Sequence, residues 1–368
     1  MPFNPDFLKE LGALFISGFD GKKAKGDIIS AVRSGLGGVI LFPPNLGAPK
    51  EILKLTQGLQ KASPDLPVII SIDQEGGRVA RLKAPFTEFP PMSVVGAKND
   101  PELARMIGAA IAKELLAVGI NLDFAPVMDL DESVEPLAGD VAPLAGKRRH
   151  GERVIGDRSF GADPEKVSTL GKAFIEGMQR EGMMACAKHF PGHGATSLDS
   201  HVELPEVLLS GEEMRHHIAP FEAAIKGGVA TIMTAHIRCH ALDRYHPATL
   251  SGAILTGKLR IEMGFKGVII TDDMAMKGIA DLLPPADAAA LALRAGADVL
   301  LIAHDLQLAG KLRQSLHEAV RHLLIDPDEI MDKIERVTAM RTKLAQIKRP
   351  PLDVIGCREH QELAKEAN

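Results

Sequence analysis

Residues 183–205 read MMACAKHFPGHGATSLDSHVELP. The stretch opens on a short apolar run, Met184–Ala187, with the length and unbroken hydrophobicity of a strand buried on both faces. It then crowds Lys188, His189, His193, Asp199 and His201 into one loop. A loop that only connects has no need of such groups so close together, and loops carried by a rigid scaffold are where binding and catalytic side chains gather.

The same order, apolar run and then polar residue, recurs on both sides of this segment. Candidate strands are Ala13–Ile16, Gly38–Phe42, Val68–Ile72, Ile120–Phe124, Met184–Ala187, Ala230–Thr234, Gly267–Ile270 and Asp298–Ile302. Helical patterns lie between them: Pro101–Val118, Pro164–Glu181, Gly211–Lys226, Gly252–Met263, Pro284–Ala295 and Gln307–Leu324. Eight strands alternating with helices predict an α/β protein, a single (β/α)8 barrel of the TIM type. An open doubly wound sheet is the competing architecture, but the chain has no glycine-rich nucleotide fingerprint. Residues 1–368 are expected to form one domain, with a helical tail from about residue 327 packed on the barrel.

In such barrels the active site sits at the C-terminal ends of the strands. Those ends carry Asp73, Asp123, Lys188-His189, His236, Asp272 and His304-Asp305. Any one of them could be a helix cap or a surface charge; six on one rim point to a site.

The composition narrows the function. A net charge of −5 over 368 residues gives no basic footprint for nucleic acid. No uncharged apolar stretch is long enough to span a bilayer. The amino terminus lacks the basic start, long apolar core and cleavage site of a signal peptide. Three cysteines in no paired spacing suit a reducing compartment, so a cytoplasmic protein is expected. With no tryptophan and one tyrosine, the chain lacks flat platforms for polymers, which favours a small soluble ligand.

Three segments carry a family resemblance: SIDQEGGRVAR (71–81), KHFPGHGATSLDSH (188–201) and GVIITDDMAM (267–276). Together they resemble the β-N-acetylglucosaminidases of glycoside hydrolase family 3, and the likeness runs from about the first strand to the eighth. The resemblance implies a retaining, exo-acting enzyme on muropeptide-type amino sugars, in a monomer or weak oligomer and with no cofactor or metal. It places Asp272 at the nucleophile and Asp199 with His201 at an acid/base dyad. It places Asp73, Arg81, Arg158, Lys188 and His189 around the sugar before the cleaved bond, with His236 facing the same site. Retaining hydrolysis needs a nucleophile on one face of the sugar and an acid/base on the other. A histidine can do the second task because its unperturbed pKa is close to neutral, and a neighbouring aspartate can orient it.

Other readings remain beside these. Asp273 could be the nucleophile and Asp272 a cap. His193 could hold the loop by hydrogen bonds, Glu75 could satisfy backbone donors, and Gly192 and Gly194 could loosen the loop. A β-N-acetylglucosaminide phosphorylase on the same scaffold is the nearest rival, since a neutral histidine repels phosphate less than a carboxylate does. A metal-dependent hydrolase would use His189, His193, Asp199 and His201, but Pro191 and Gly192 interrupt any helical ligand spacing. A non-catalytic sugar-binding protein would have no need of Asp199 and His201. The connection Asp129–Arg158 is longer than in the compact members of the family.

Overall fold

The computed structural model describes residues 6–131, 154–196, 200 and 203–368. Its centre is a closed parallel barrel of eight strands: β1 (Phe15–Ser17), β2 (Gly38–Ile40), β3 (Ile69–Ile72), β6 (Leu122–Asp123), β7 (Met184–Phe190), β9 (Thr231–Thr234), β11 (Val268–Asp273) and β12 (Val299–Ile302). Each pairs with the next barrel strand in the chain, and β12 closes on β1, with Leu300 opposite Phe15. The expected (β/α)8 barrel is therefore the observed one, and each strand predicted from an apolar run is present.

The strands are mostly apolar, apart from hydroxyls and the charged residues at their C-terminal ends, because helices cover the outside of the barrel and side chains fill its interior. Hydroxyls inside are satisfied locally: Ser71 Oγ donates to Val39 O at 2.9 Å and Thr231 Oγ1 to Ala185 O at 3.0 Å. Helix starts are written in the sequence. Asp100, before Pro101, accepts from the N–H groups of Glu102 and Leu103, and Asp163, before Pro164, from that of Glu165. In both, the proline takes a position whose N–H has no helical partner. The predicted helix Gly252–Met263 is present as Ala253–Glu262, but wound as a π-helix; Met263 N–H reaches back five residues to Lys258 O at 2.9 Å.

Among the described residues, four short strands lie outside the barrel. β4 (Gln74–Gly76) and β5 (Val79–Ala80) form an antiparallel hairpin straight after β3. β8 (Glu206–Val207) pairs with β10 (Arg238–Cys239). Both pairs stand at C-terminal strand ends and shape the mouth of the barrel.

The tail is tied to the barrel at several points. Arg341 Nε donates to Pro67 O at 2.8 Å, just before β3. Glu114, buried in the helix Pro101–Ala117, accepts from Thr87 N–H at 2.9 Å and Thr87 Oγ1 at 2.6 Å. It also accepts from Gly356 N–H at 3.0 Å and His360 Nδ1 at 2.8 Å, so the last helix, Arg358–Ala367, and the segment after β5 share one carboxylate. No helix among the described residues is long and apolar enough to cross a membrane.

Candidate active site

The ends of β3, β7 and β11 converge at the barrel mouth. Lys188 is almost fully buried near the end of β7, with Nζ 2.8 Å from Asp73 Oδ1 and 2.8 Å from Glu75 Oε1. Arg158 grips the same glutamate with both prongs, Nε to Oε2 at 2.8 Å and Nη2 to Oε1 at 2.7 Å. Arg81 Nη2 lies 3.5 Å from Asp73 Oδ2, and its guanidinium stands over the Phe42 ring, 5.8 Å from the centroid. Burial alone would raise the pKa of Glu75, but Arg158 and Lys188 outweigh it and hold the carboxyl well below the usual range. The carboxylates likewise keep Lys188 and Arg158 above their ordinary values despite burial. The cluster thus keeps Glu75, Lys188 and Arg158 charged at neutral pH. Its interlocked geometry fixes donors and acceptors at the barrel mouth.

Asp129 makes a second node. Completely buried, it accepts from His189 N–H at 3.1 Å, His189 Nδ1 at 2.7 Å and His193 N–H at 2.7 Å. The contact with the Asp129 carboxylate makes Nδ1 of His189 a donor and fixes the plane of its ring. His193 is buried as well, and burial is the first cause that pushes its pKa down to about 4. Its ring bonds Thr196 Oγ1 at 2.9 Å and Ser200 Oγ at 3.2 Å, and Ser200 O accepts from Gly278 N–H at 3.0 Å. A neutral, hydrogen-bonded His193 is the loop-holding role allowed for it by the sequence. Gly194 also has a packing role. A Cβ on Gly194 would lie 1.7 Å from Leu130 O, so the residue is small to permit close backbone approach.

Asp272, half-buried at the end of β11, accepts from Asp273 N–H at 2.8 Å. Burial raises its pKa, but His189, His236, that N–H and Lys188 together bring it below the ordinary carboxylate value. It is an anion at neutral pH. Asp273 does different work: its Oδ1 accepts from Ala275 N–H at 3.1 Å and Ala303 N–H at 3.0 Å, joining β11 to β12. The geometry favours Asp272 over Asp273 as the free carboxylate. His236 is fully buried, donates from Nε2 to Asp273 O at 3.0 Å and has Thr249 Oγ1 2.7 Å from Nδ1. Burial lowers its pKa. Both ring nitrogens are therefore engaged, and His236 positions the end of β11.

Of the residues singled out from the sequence, Asp73, Arg81, Arg158 and Lys188 meet in one cluster. His189, His236 and Asp272 stand beside it. Asp199 and His201 lie outside the described residues, as does most of the long connection, residues 132–153. Two central groups escaped the sequence reading. Glu75 binds two side-chain cations, not backbone donors, and Asp129 anchors both histidines of the loop stem. Asp129 did carry a signal, as a carboxylate directly after the apolar run Phe124–Met128.

The sequence matches the glycosyl hydrolase family 3 N-terminal domain over residues 10–340. A β-hexosaminidase of Thiobacillus denitrificans is 37% identical over 288 residues, covering 76% of this chain and 75% of its own. A solved family 3 β-N-acetylglucosaminidase from Paenibacillus sp. FPU-7 superposes with a TM-score of 0.87 at 34% identity, over 98% of this chain and 67% of that one. NagZ from Neisseria gonorrhoeae, solved with N-trifluoroacetyl-D-glucosamine, gives 0.77 at 29% identity over 96% of each chain.

Proposed function

Because the chain belongs to glycosyl hydrolase family 3, as a β-N-acetylhexosaminidase, we propose that it is an exo-acting, retaining enzyme. It releases terminal β-linked N-acetylglucosamine from small muropeptide-type substrates. The observation that carries this reading is the ionised Asp272 beside the charged lattice of Asp73, Glu75, Lys188, Arg158 and Arg81. An anion at a rigid strand end suits attack at an anomeric carbon, and the lattice suits the hydroxyls of one sugar ring.

In the first step Asp272 forms a bond to C1 as the bond from C1 to the leaving oxygen breaks. His201 gives that oxygen its proton, with Asp199 orienting the ring. In the second step His201 takes a proton from water, the water oxygen bonds to C1, and the Asp272 carboxylate departs. The product is the β-anomer. The likeness to NagZ supports a cell-wall fragment as substrate. Three unpaired cysteines, with the buried thiols of Cys186 and Cys239 both pushed up to about 12, fit a reducing cytoplasm.

The first test is proton NMR of the sugar released from a β-N-acetylglucosaminide. The β-anomer is expected first; an initial α-anomer would exclude retention. Turnover of the matching β-glucoside should be far slower, and added phosphate should yield no sugar 1-phosphate. Formation of that phosphate ester would select the phosphorylase instead.

A second test addresses the acid. His201→Ala should slow cleavage of a disaccharide far more than the first step with a nitrophenyl glycoside, whose leaving group needs little protonation. The nitrophenyl substrate should then show a burst followed by slow turnover, because the same residue is the base of the second step. Asp199→Ala should give a milder form of this pattern. Equal losses on both substrates would assign His201 to sugar binding.

A further inference from the structure

One buried acid at the mouth has no part in the scheme above. Asp123 ends β6, which lies between β3 and β7, and it stands in register with Ile72 on one side and Ala185 on the other. It is wholly buried. Its Oδ1 accepts from Gln74 N–H at 2.9 Å, while Oδ2 has no hydrogen-bond partner among the described residues. Gln74 is the residue between Asp73 and Glu75, the two carboxylates that share Lys188. Its side chain also closes the β4–β5 hairpin through Leu82, donating to Leu82 O at 3.2 Å and accepting from Leu82 N–H at 3.0 Å. One oxygen of Asp123 thus fixes the peptide that sets the spacing of Asp73 and Glu75 and aims the strand leading to Arg81.

The charge state follows from the surroundings. The charged groups acting on Asp123 are Lys188 from β7 and Asp73 and Glu75 from the end of β3 and from β4. Lys188 already holds Asp73 and Glu75 at 2.8 Å each. A third buried anion would have one hydrogen bond, a bare oxygen and two like charges nearby, which is strongly unfavourable. Burial first, and the two carboxylates with it, raise the pKa of Asp123 well above its ordinary value, against the opposing pull of the Gln74 N–H and Lys188.

We propose that Asp123 is a positioning residue that works as an un-ionised carboxylic acid, holding Asp73 and Glu75 in place around Lys188 without competing for its charge. The inference rests on the reading of Asp73 as a sugar-binding residue.

Two substitutions in the full-length enzyme test it. Asp123→Leu keeps the approximate size but removes the acceptor, and should lower kcat/KM at least 30-fold on a β-N-acetylglucosaminide. Asp123→Asn keeps the acceptor, places an N–H donor where the acid carries its O–H, and has no charge, so it should restore kcat/KM to within about fivefold of wild type. The Tm of each protein against pH gives a readout that activity does not. An acid whose folded pKa is raised loses stability as pH rises above its unfolded value of about 4. Asp123→Asn cannot ionise, so its Tm should gain on wild type steadily from pH 4 towards pH 8. An asparagine variant as impaired as the leucine variant, melting below wild type at pH 7, would show a working anion and overturn the proposal. So would an active, well-folded leucine variant. Asp73→Ala run alongside separates the two ideas: if it leaves kcat/KM intact, the sugar-site reading fails whatever Asp123 does.

Discussion

Replacing Asp272 by alanine removes turnover, by roughly 10³-fold or more, while the protein stays folded. Both parts of this expectation come from the end of β11. The carboxylate is the ionised group beside His189 and His236, and its one hydrogen bond among the described residues, from Asp273 N–H, is local. Losing one such bond at a half-buried position changes stability by about 1 kcal/mol, whereas losing a nucleophile removes the reaction path itself. Added azide should restore product from Asp272→Ala as the α-glycosyl azide, since a small anion can enter the space of the missing carboxylate and attack the same face. Asp273→Ala should behave oppositely. It leaves the N–H groups of Ala275 and Ala303 unpaired and should cost about 1–3 kcal/mol in stability, with activity lost only as packing loosens. An active Asp272→Ala beside an inactive but well-folded Asp273→Ala would reverse the two roles.

Glu75→Ala is expected to do the greatest damage to the fold of any single change at the mouth. Glu75 receives both prongs of Arg158 and the ammonium of Lys188. Its removal strands the largely buried Arg158 guanidinium, a loss of about 3–5 kcal/mol, and leaves Lys188 with Asp73 alone. The pH dependence has a definite sign. The folded pKa of Glu75 is depressed, so its contribution is fully present above the unfolded value of about 4.3 and is lost as pH falls through the folded value. Glu75→Gln should therefore melt well below wild type at pH 7, with the gap closing under strongly acid conditions. Equal Tm values at pH 7 would mean that the cluster adds nothing to stability.

The barrel was legible because its strands are buried on both faces and so read as short apolar runs such as Val68–Ile70 and Val299–Ile302. The rim was legible because a charged residue stands at the end of most runs, as Lys188 and Asp272 do. Glu75 was not, since its meaning depends on Lys188 and Arg158, which the fold alone brings near. The two-residue pair Glu206–Val207 with Arg238–Cys239 is too short to leave a periodicity. Gly194 shows a different limit: glycine marks tight packing as readily as freedom, and the close approach of Leu130 O is invisible in the sequence. The π-helical winding of Ala253–Glu262 leaves the apolar spacing near that of an ordinary helix, so the sequence pattern does not separate the two.

The Glu114 carboxylate has a practical corollary for anyone altering the ends of this protein. Because Thr87, Gly356 and His360 meet on it, the final helix belongs to the foundations of the hairpin that carries Glu75 and leads into Arg81. A fusion partner joined directly to residue 368, or a deletion that stops after the helix Pro327–Leu344, would be felt in catalysis. Trimming the tail to aid crystallisation would loosen the grip on sugar. A library built to alter specificity could profitably include positions 356 and 360, far down the chain though they are.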